Sequence, residues 1–279
     1  MFPHVHTNDP LAVRREVTAI CASLFPSADP RFIDRAFGWA IDAFEGRYLD
    51  YLPIDARYHD LEHTMQGTLC FARLMDGYIR AGAEPTLTPE FFELCLLAIL
   101  MHDTGYLKHA WDKAGTGAKY TSIHVQRSAD FAAQLMLNNG YSAEAARAVQ
   151  HMIRCTGVNL DLRSIPFQSR LERRMGCALG TSDLLGQMAA VDYIDKLPIL
   201  YTEFAESAQY DSRKVTGPGS FSSADDLIRR TPKFWENYVK PKINQDFEGL
   251  FRYLNAPYPD GPNPYVEAIE ANIARLQIS

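Results

Sequence analysis

The sequence predicts an all-α protein, folded as one domain of about ten helices over residues 1–279. Two observations support this fold class. Apolar residues recur at the spacing of an amphipathic helix in most segments, and proline, glycine and capping residues separate those segments. The alternating pattern of a half-buried strand does not run for a useful length, and no internal repeat has a fixed period.

The first two helices are indicated by their opening residues. Asp9-Pro10 and Asp29-Pro30 each place an aspartate before a proline, which is typical of an N-cap followed by the first helical position. The first of these helices is predicted to extend over about residues 11–24. The second carries apolar residues at helical spacing up to Gly46.

The third and fourth helices lie next to the histidines and aspartates that are the candidate site residues. The segment Tyr58–Thr64 leads into a helix that ends at about Ala81. The fourth helix follows Pro89 and contains Leu94–Met101, the most apolar run of the sequence. That run is far shorter than the about 20 residues needed to span a membrane, so it predicts a buried helix.

Glycines, asparagines and capping residues bound the later helices. We expect helices at about residues 121–137, 142–155, 170–187 and 191–208, another from residue 223, one opened by Thr231-Pro232 and running through residue 253, and a short terminal helix. Two loops separate these elements. Lys108–Gly117 is predicted to form a rim or lid, and Asp211–Ser223 is polar and contains Gly217-Pro218-Gly219, which suggests mobility.

The composition is that of an ordinary globular protein, with 47% hydrophobic residues, 22% charged residues and a net charge of -6 at pH 7. The negative charge gives no reason to expect a nucleic-acid polymer or a membrane surface as partner. A small phosphate ester or nucleotide stays possible as a ligand, because local charges would hold it. Composition does not predict the oligomeric state.

The cysteines and the first ten residues indicate the cellular compartment of the protein. The five cysteines are scattered and contain no CxxC, which favours neither a disulfide framework nor a thiolate zinc site and predicts a reducing, cytoplasmic location. The first ten residues lack the basic and apolar regions of a signal peptide. His4 and His6 are expected to lie in a flexible leader rather than in a metal site.

His102 and Asp103 follow the apolar run directly. An imidazole and a carboxylate at the inner end of a buried helix are costly unless each has a partner, and a metal ion would satisfy both. A structural His-Asp hydrogen bond is the alternative interpretation. His59 and His63 are four residues apart and could share one helix face, if the helix begins by His59. Asp183 lies on the predicted helix 170–187.

Separate helices of a bundle can direct such side chains at one metal ion. Imidazole and carboxylate ligands without thiolate suit zinc, manganese, iron or magnesium, and residue types do not choose among them. Lys108, Lys113, Arg170 and Lys196 could reach a phosphate, although such side chains are more often solvated. Tyr106 and Trp111 could stack on a base, although aromatic residues beside a core helix usually pack.

The order His63, His102-Asp103, Asp183 resembles the HD-domain metal-dependent phosphohydrolases, which are helical bundles. Tyr58–Thr64 is similar to the YHNxxHA signature of the class I cyclic nucleotide phosphodiesterases in that superfamily, and Ile153–Thr156 is similar to their I-x-x-T segment. The resemblance covers about residues 55–205. Departures occur at Asp60, Thr64 and Tyr106, where those phosphodiesterases carry Asn, Ala and His, and no glutamine matches the one that holds the purine.

The resemblance implies roles for individual residues. His63, His102, Asp103 and Asp183 would hold a first divalent ion, and Asp103 would bridge to a second, so that each chain binds one or two ions. Metal-activated hydroxide would attack phosphorus, and His59 would act as general acid toward the leaving oxygen.

Three further side chains are weighed by the same resemblance. His124 is expected either in the second shell, with Thr156, or as a ligand of a second metal. His151 lies five residues before Thr156, about 140° around a helix, so both cannot face one site. An ordinary partly buried histidine is the expectation for His151.

The sequence therefore predicts a metal-dependent phosphohydrolase that acts on a nucleotide-like phosphate ester, with a cyclic phosphodiester among the candidate substrates. A di-iron HD oxygenase is a second possibility, although Thr156 stands where it would need a further histidine. A non-catalytic module that binds a nucleotide or a protein is a third.

Overall fold

The computed structural model describes residues 2–158, 160–210 and 221–278. Within these ranges the chain forms ten α-helices and no β-strand, which confirms the all-α prediction. The helices are α1 (Pro10–Leu24), α2 (Arg31–Phe44), α3 (Leu61–Arg80), α4 (Pro89–Met101), α5 (His124–Asn138), α6 (Ala143–Arg154), α7 (Arg170–Met188), α8 (Tyr193–Tyr210), α9 (Ala224–Phe234) and α10 (Pro264–Ile278).

Helix α4 lies in the centre of the molecule. Every residue from Cys95 to Met101 is buried, because the helix is apolar on all sides and packs against α2, α3, α5, α6 and α7. A contiguous core cluster includes residues from Val13 in α1 to Ile273 in α10. All five cysteines are buried and unpaired. The domain boundaries remain a prediction.

Helices α3 and α7 pack directly against each other at a pair of glycines. A Cβ atom on Gly186 would lie 2.7 Å from the carbonyl oxygen of Gln66 and 2.9 Å from the Cα of Gly67. Only hydrogen at Gly186 allows the two backbones to approach so closely, whereas a Cβ on Gly67 would make ordinary contacts, the nearest at 3.4 Å from Ile99. This close crossing sets the separation of the side chains that α3 and α7 carry.

Two predicted boundaries were wrong for local reasons. Helix α5 begins at His124 rather than Thr121, because a 3₁₀ turn at Gly117–Tyr120 precedes it. Thr231-Pro232 does not open a new helix. Pro232 lies inside α9, which continues through π-helical turns at Trp235–Val239 and Lys242–Asp246.

The N-terminal segment is held against the fold, contrary to the flexible leader that we expected. The carbonyl of Pro3 accepts a hydrogen bond from Arg73 of α3, and the Thr7 hydroxyl donates to Glu62 at 3.3 Å. The rings of His4 and His6 pack edge to face. No helix in the described ranges is both long enough and apolar enough to cross a membrane.

Candidate metal centre

The four predicted ligands lie on three different helices or directly after them. His63 lies in the first turn of α3, where Asp60 caps the helix by accepting the backbone N–H of His63 at 2.9 Å. His102 and Asp103 follow the last residue of α4, and Asp183 lies in the second half of α7. The departure at Asp60 thus has a structural role, because aspartate is among the preferred N-cap residues.

The ligand atoms of these residues converge in the interior. Nε2 of His63 lies 3.1 Å from Oδ2 of Asp103 and 3.3 Å from Oδ1 of Asp183. Nε2 of His102 lies 3.3 Å and 3.4 Å from the same two oxygens. Atoms that each coordinate one ion at about 2.0–2.2 Å lie about 3.0–3.5 Å from one another in tetrahedral or octahedral geometry. His63, His102 and Asp103 therefore form a buried group with the spacing that a single ion requires. Asp183 contacts both histidines of this group.

Two buried atoms of the cluster lack a hydrogen-bond partner: Nε2 of His102 and Oδ2 of Asp103. The other ring nitrogen of His102 donates to the carbonyl of Ile99 at 2.7 Å, which leaves the lone pair of Nε2 directed at the cluster. Buried polar atoms without a partner are costly and uncommon. A divalent cation would satisfy both atoms at once, so the residues present fit a metal ion.

Charge coupling within the cluster is strong. Burial disfavours the imidazolium of His63, but the neighbouring carboxylates of Asp103 and Asp183 outweigh burial and raise the pKa of His63 to about 10. Burial also opposes ionisation of Asp103, yet the neighbouring charges of His102 and His63 hold the pKa of that carboxyl well below its usual range. The pKa of Asp183 is lowered for the same reasons. The carboxylates also raise the pKa of His102, so the imidazoles and carboxylates of the cluster favour opposite charges on one another.

His59 lies beside this cluster and just before α3, with its ring centroid 5.4 Å from that of His63. Its Nδ1 donates to Oε2 of Glu203 on α8 at 2.5 Å. Oε1 of Glu203 accepts the backbone N–H of Tyr58 at 2.7 Å, which fixes the carboxylate. Burial raises and the His59 charge lowers the pKa of Glu203, with a net lowering. Glu203 therefore takes up Nδ1 of His59, and Nε2 is the ring nitrogen that remains.

Sequence reasoning did not pair Glu203 with His59, because the two residues are 144 positions apart. One signal was present: Glu203 is a carboxylate within the apolar stripe formed by Leu200, Tyr201 and Phe204. A buried carboxylate needs a partner, and the histidine before α3 supplies it.

His124 begins α5, and its Nε2 lies 3.8 Å from the second carboxylate oxygen of Asp103, Oδ1. Its Nδ1 donates to the carbonyl of Thr121 at 2.7 Å, so the Nε2 lone pair faces Asp103. Burial, together with the charges of His59 and His102, lowers the pKa of His124. The structure thus brings His124 to the cluster, on the side of Asp103 opposite to His63.

A glutamine that sequence reasoning could not place lies behind Asp183. Nε2 of Gln187 lies 3.3 Å from Oδ1 of Asp183, one turn earlier on α7, and donates to it. The Tyr58 hydroxyl donates to Oε1 of Gln187 at 2.8 Å, which fixes the orientation of the amide. Burial raises the pKa of Tyr58, so this hydroxyl stays a neutral donor. Gln187 therefore orients Asp183.

The model of the Npun_R2479-like family matches residues 49–258, a range that contains every residue of the cluster. This chain belongs to the Npun_R2479-like family. The family description names no reaction or ligand. Among curated proteins, none matches the chain.

Two residues weighed for this Npun_R2479-like site have hydrogen-bond partners other than the predicted ligands. The Thr156 hydroxyl donates to the carbonyl of Ile153 at 2.9 Å, and within the described ranges no hydrogen bond joins Thr156 to a predicted ligand. His151 is buried on α6, and its Nδ1 contacts Oε1 of Glu172 at 2.6 Å. His151 thus has a structural partner of its own.

The loop Lys108–Gly117 of the Npun_R2479-like chain is held by two ion pairs, of which Lys119–Asp112 is buried and Lys108–Asp55 is partly exposed at Asp55. Lys108 pairs with Asp55 at 3.0 Å, and Lys119 pairs with Asp112 at 2.5 Å. The buried Lys119–Asp112 pair is costly to break, which favours a fixed rim over a moving lid. The predicted phosphate-reaching residue Lys108 is therefore neither solvated nor directed at the cluster.

Lys196 on α8 also has carboxylate partners, since it contacts Glu62 at 2.8 Å and Asp192 at 3.1 Å. Trp111 is largely exposed and stacks on His109, whereas Tyr106 is fully buried beside the cluster. Residues 211–220 of the predicted polar loop lie outside the described residues.

Proposed function

We propose that this protein is a divalent-metal-dependent phosphohydrolase that acts on a nucleotide-like phosphate ester, with cyclic phosphodiesters among the candidate substrates. One observation carries the proposal. Three buried side chains, His63, His102 and Asp103, converge with metal-ligand spacing next to Asp183, and two of their polar atoms lack hydrogen-bond partners. The His59–Glu203 pair lies beside them.

His63, His102, Asp103 and Asp183 would hold the ion. A divalent ion in this position supplies Lewis acidity, which activates water near neutral pH and neutralises phosphate charge. Gln187 keeps Asp183 in its ligating orientation. The substrate phosphate would lie against the cluster on the side where His59 and His124 keep 14% and 19% of their side-chain surface exposed.

His59 would deliver a proton to the leaving oxygen from Nε2. Glu203 binds the opposite ring nitrogen, so it holds the imidazole in one orientation. Because Lys108, Lys119 and Lys196 have carboxylate partners, phosphate charge would be neutralised mainly at the ion.

The test compares two variants of metal-loaded protein, using 4-nitrophenyl phosphate and bis(4-nitrophenyl) phosphate as probes. Asp103→Ala should lose both bound metal, measured by elemental analysis, and hydrolysis. His59→Ala should keep its metal and lose about 100-fold or more in turnover. Equal loss of metal in both variants would contradict the role of His59.

A di-iron oxygenase is the second candidate, and the position of His124 favours it. With Nε2 3.8 Å from Oδ1 of Asp103, His124 could ligate a second ion on the far side of that carboxylate. Oxygen consumption by iron-loaded protein, absent with manganese or zinc, would favour this function over hydrolysis. A non-catalytic module has less support, because a purely binding site does not need the His59–Glu203 pair.

A further inference from the structure

Tyr106 contacts both histidines that flank the cluster. Its ring stacks on that of His59 with centroids 4.4 Å apart and an interplanar angle of 13°. It also stacks on the ring of His124, at 4.6 Å and 24°. The two imidazole centroids lie 6.0 Å apart.

These distances place both imidazoles on the same face of Tyr106. Rings stacked on opposite faces would lie about 7 Å apart, because each van der Waals contact separates planes by about 3.5 Å. The observed 6.0 Å is shorter than this separation. One face of the Tyr106 ring therefore stacks on both His59 and His124, which lie side by side on that face.

The Nδ1 atom of each imidazole is also fixed by a hydrogen bond. His59 is bonded through Nδ1 to Glu203, and His124 through Nδ1 to the carbonyl of Thr121. A hydrogen bond at one nitrogen leaves the ring free to tilt about that contact. A stacked aromatic face restricts this tilt and thereby defines where the other nitrogen points.

Tyr106 itself is rigidly placed and buried. It ends the 3₁₀ turn Thr104–Tyr106, whose Gly105 N–H donates to Ser128 of α5 at 2.8 Å. A side chain on Gly105 would collide with the carbonyl of His124, so the turn and the start of α5 are in direct contact. The Tyr106 hydroxyl is buried without a hydrogen-bond partner. A buried hydroxyl without a partner is costly and does not itself hold the site together. The part of Tyr106 that contacts the two histidines is its aromatic ring.

We propose that Tyr106 is a positioning residue that sets the separation and tilt of His59 and His124 beside the metal cluster. This assignment rests on the proposed phosphohydrolase function for its effect on turnover. Tyr106 would act through the two imidazoles and would not touch the substrate.

The test compares Tyr106→Leu, which removes the ring, with Tyr106→Phe, which keeps it. Tyr78→Leu is the matched control, because Tyr78 is a fully buried tyrosine of α3, four turns from His63. Hydrolysis of bis(4-nitrophenyl) phosphate should lose about 10- to 100-fold in kcat in Tyr106→Leu, with KM and metal content unchanged. Tyr106→Phe and Tyr78→Leu should keep wild-type kcat. Wild-type kcat in a folded Tyr106→Leu protein would overturn the proposal.

A second readout does not depend on activity. Imidazole C–H resonances of His59 and His124 should be shifted upfield by the ring current of Tyr106 in histidine-labelled protein, and Tyr106→Leu should abolish the shift while Tyr106→Phe keeps it. Resonances that stay in place in Tyr106→Leu would overturn the inference. If wild-type protein hydrolyses neither probe, the proposed function fails, and the loss of the ring-current shift would still support the positioning role.

Discussion

At the scale of single residues, the site depends on which nitrogen of each histidine is free. His59, His102 and His124 each donate Nδ1–H to an oxygen outside the cluster. Their Nε2 atoms therefore remain for a ligand or a substrate. The oxygens that fix these tautomers are a glutamate carboxylate and two backbone carbonyls, which no residue-type motif specifies.

Gln187 should affect the metal site without being a ligand. Gln187→Leu removes the donor to Asp183 and leaves the Tyr58 hydroxyl without its acceptor, so metal affinity should fall about 10- to 100-fold. Competition with a chelator would measure this change. Gln134→Leu, at an exposed position of α5, is the control and should keep wild-type affinity. Equal affinity in all three proteins would show that Asp183 needs no support.

Metal binding should release protons. Because the pKa of His63 is raised to about 10 in the ion-free protein, His63 is protonated at pH 7 and must lose that proton to ligate. Apparent affinity should therefore rise with pH by up to about tenfold per unit, until the pH approaches about 10. Calorimetric titration in buffers of different ionisation enthalpy should detect about one proton released per ion. If no proton is released, His63 cannot be a ligand that is protonated before the ion binds.

At the scale of elements, the α3–α7 crossing controls the geometry of the cluster. Gly186→Ala would place a Cβ 2.7 Å from the backbone oxygen of Gln66, which cannot move without displacing α3. This substitution should cost about 1–3 kcal/mol in the free energy of unfolding, measured with urea, and should weaken metal binding.

Gly38 provides the matched control for that substitution. A Cβ there meets nothing within 4 Å, and Gly38 lies inside α2. Gly38→Ala should therefore stabilise the protein by about 0.5–1 kcal/mol, since alanine has the higher helix propensity. A neutral effect of Gly186→Ala would mean that α3 and α7 can separate freely.

At the scale of the whole molecule, a bound ion should stabilise the fold, because its ligands join α3, α4 and α7. An ion at 100 times its Kd should add about 2.7 kcal/mol to the free energy of unfolding and raise Tm, as measured by calorimetry. A chelator should reverse the effect, and Asp183→Ala should not show it. An equal rise in Asp183→Ala would indicate that the ion binds elsewhere, for example at His4 and His6.

Local sequence was sufficient for the all-α class, for most helix boundaries and for the candidate ligands. Helical periodicity and caps such as Asp9 act within a few residues, so they can be interpreted without knowledge of the fold. The apolar run before His102-Asp103 likewise predicted that this pair would be buried. Pro232 marks the limit of such rules, because it lies inside α9, which continues into π-helical turns, instead of opening a new helix.

Only the tertiary structure decided which distant side chains meet. His59 is hydrogen-bonded to Glu203, and Asp183 accepts a hydrogen bond from Gln187, which Tyr58 orients. The ring of Tyr106 stacks on two imidazoles. These contacts depend on how α3, α7 and α8 pack, and packing is set by the fit of whole helix surfaces rather than by local spacing. Residue types alone indicated that a metal could bind, and the packing determined which atoms converge in the cluster.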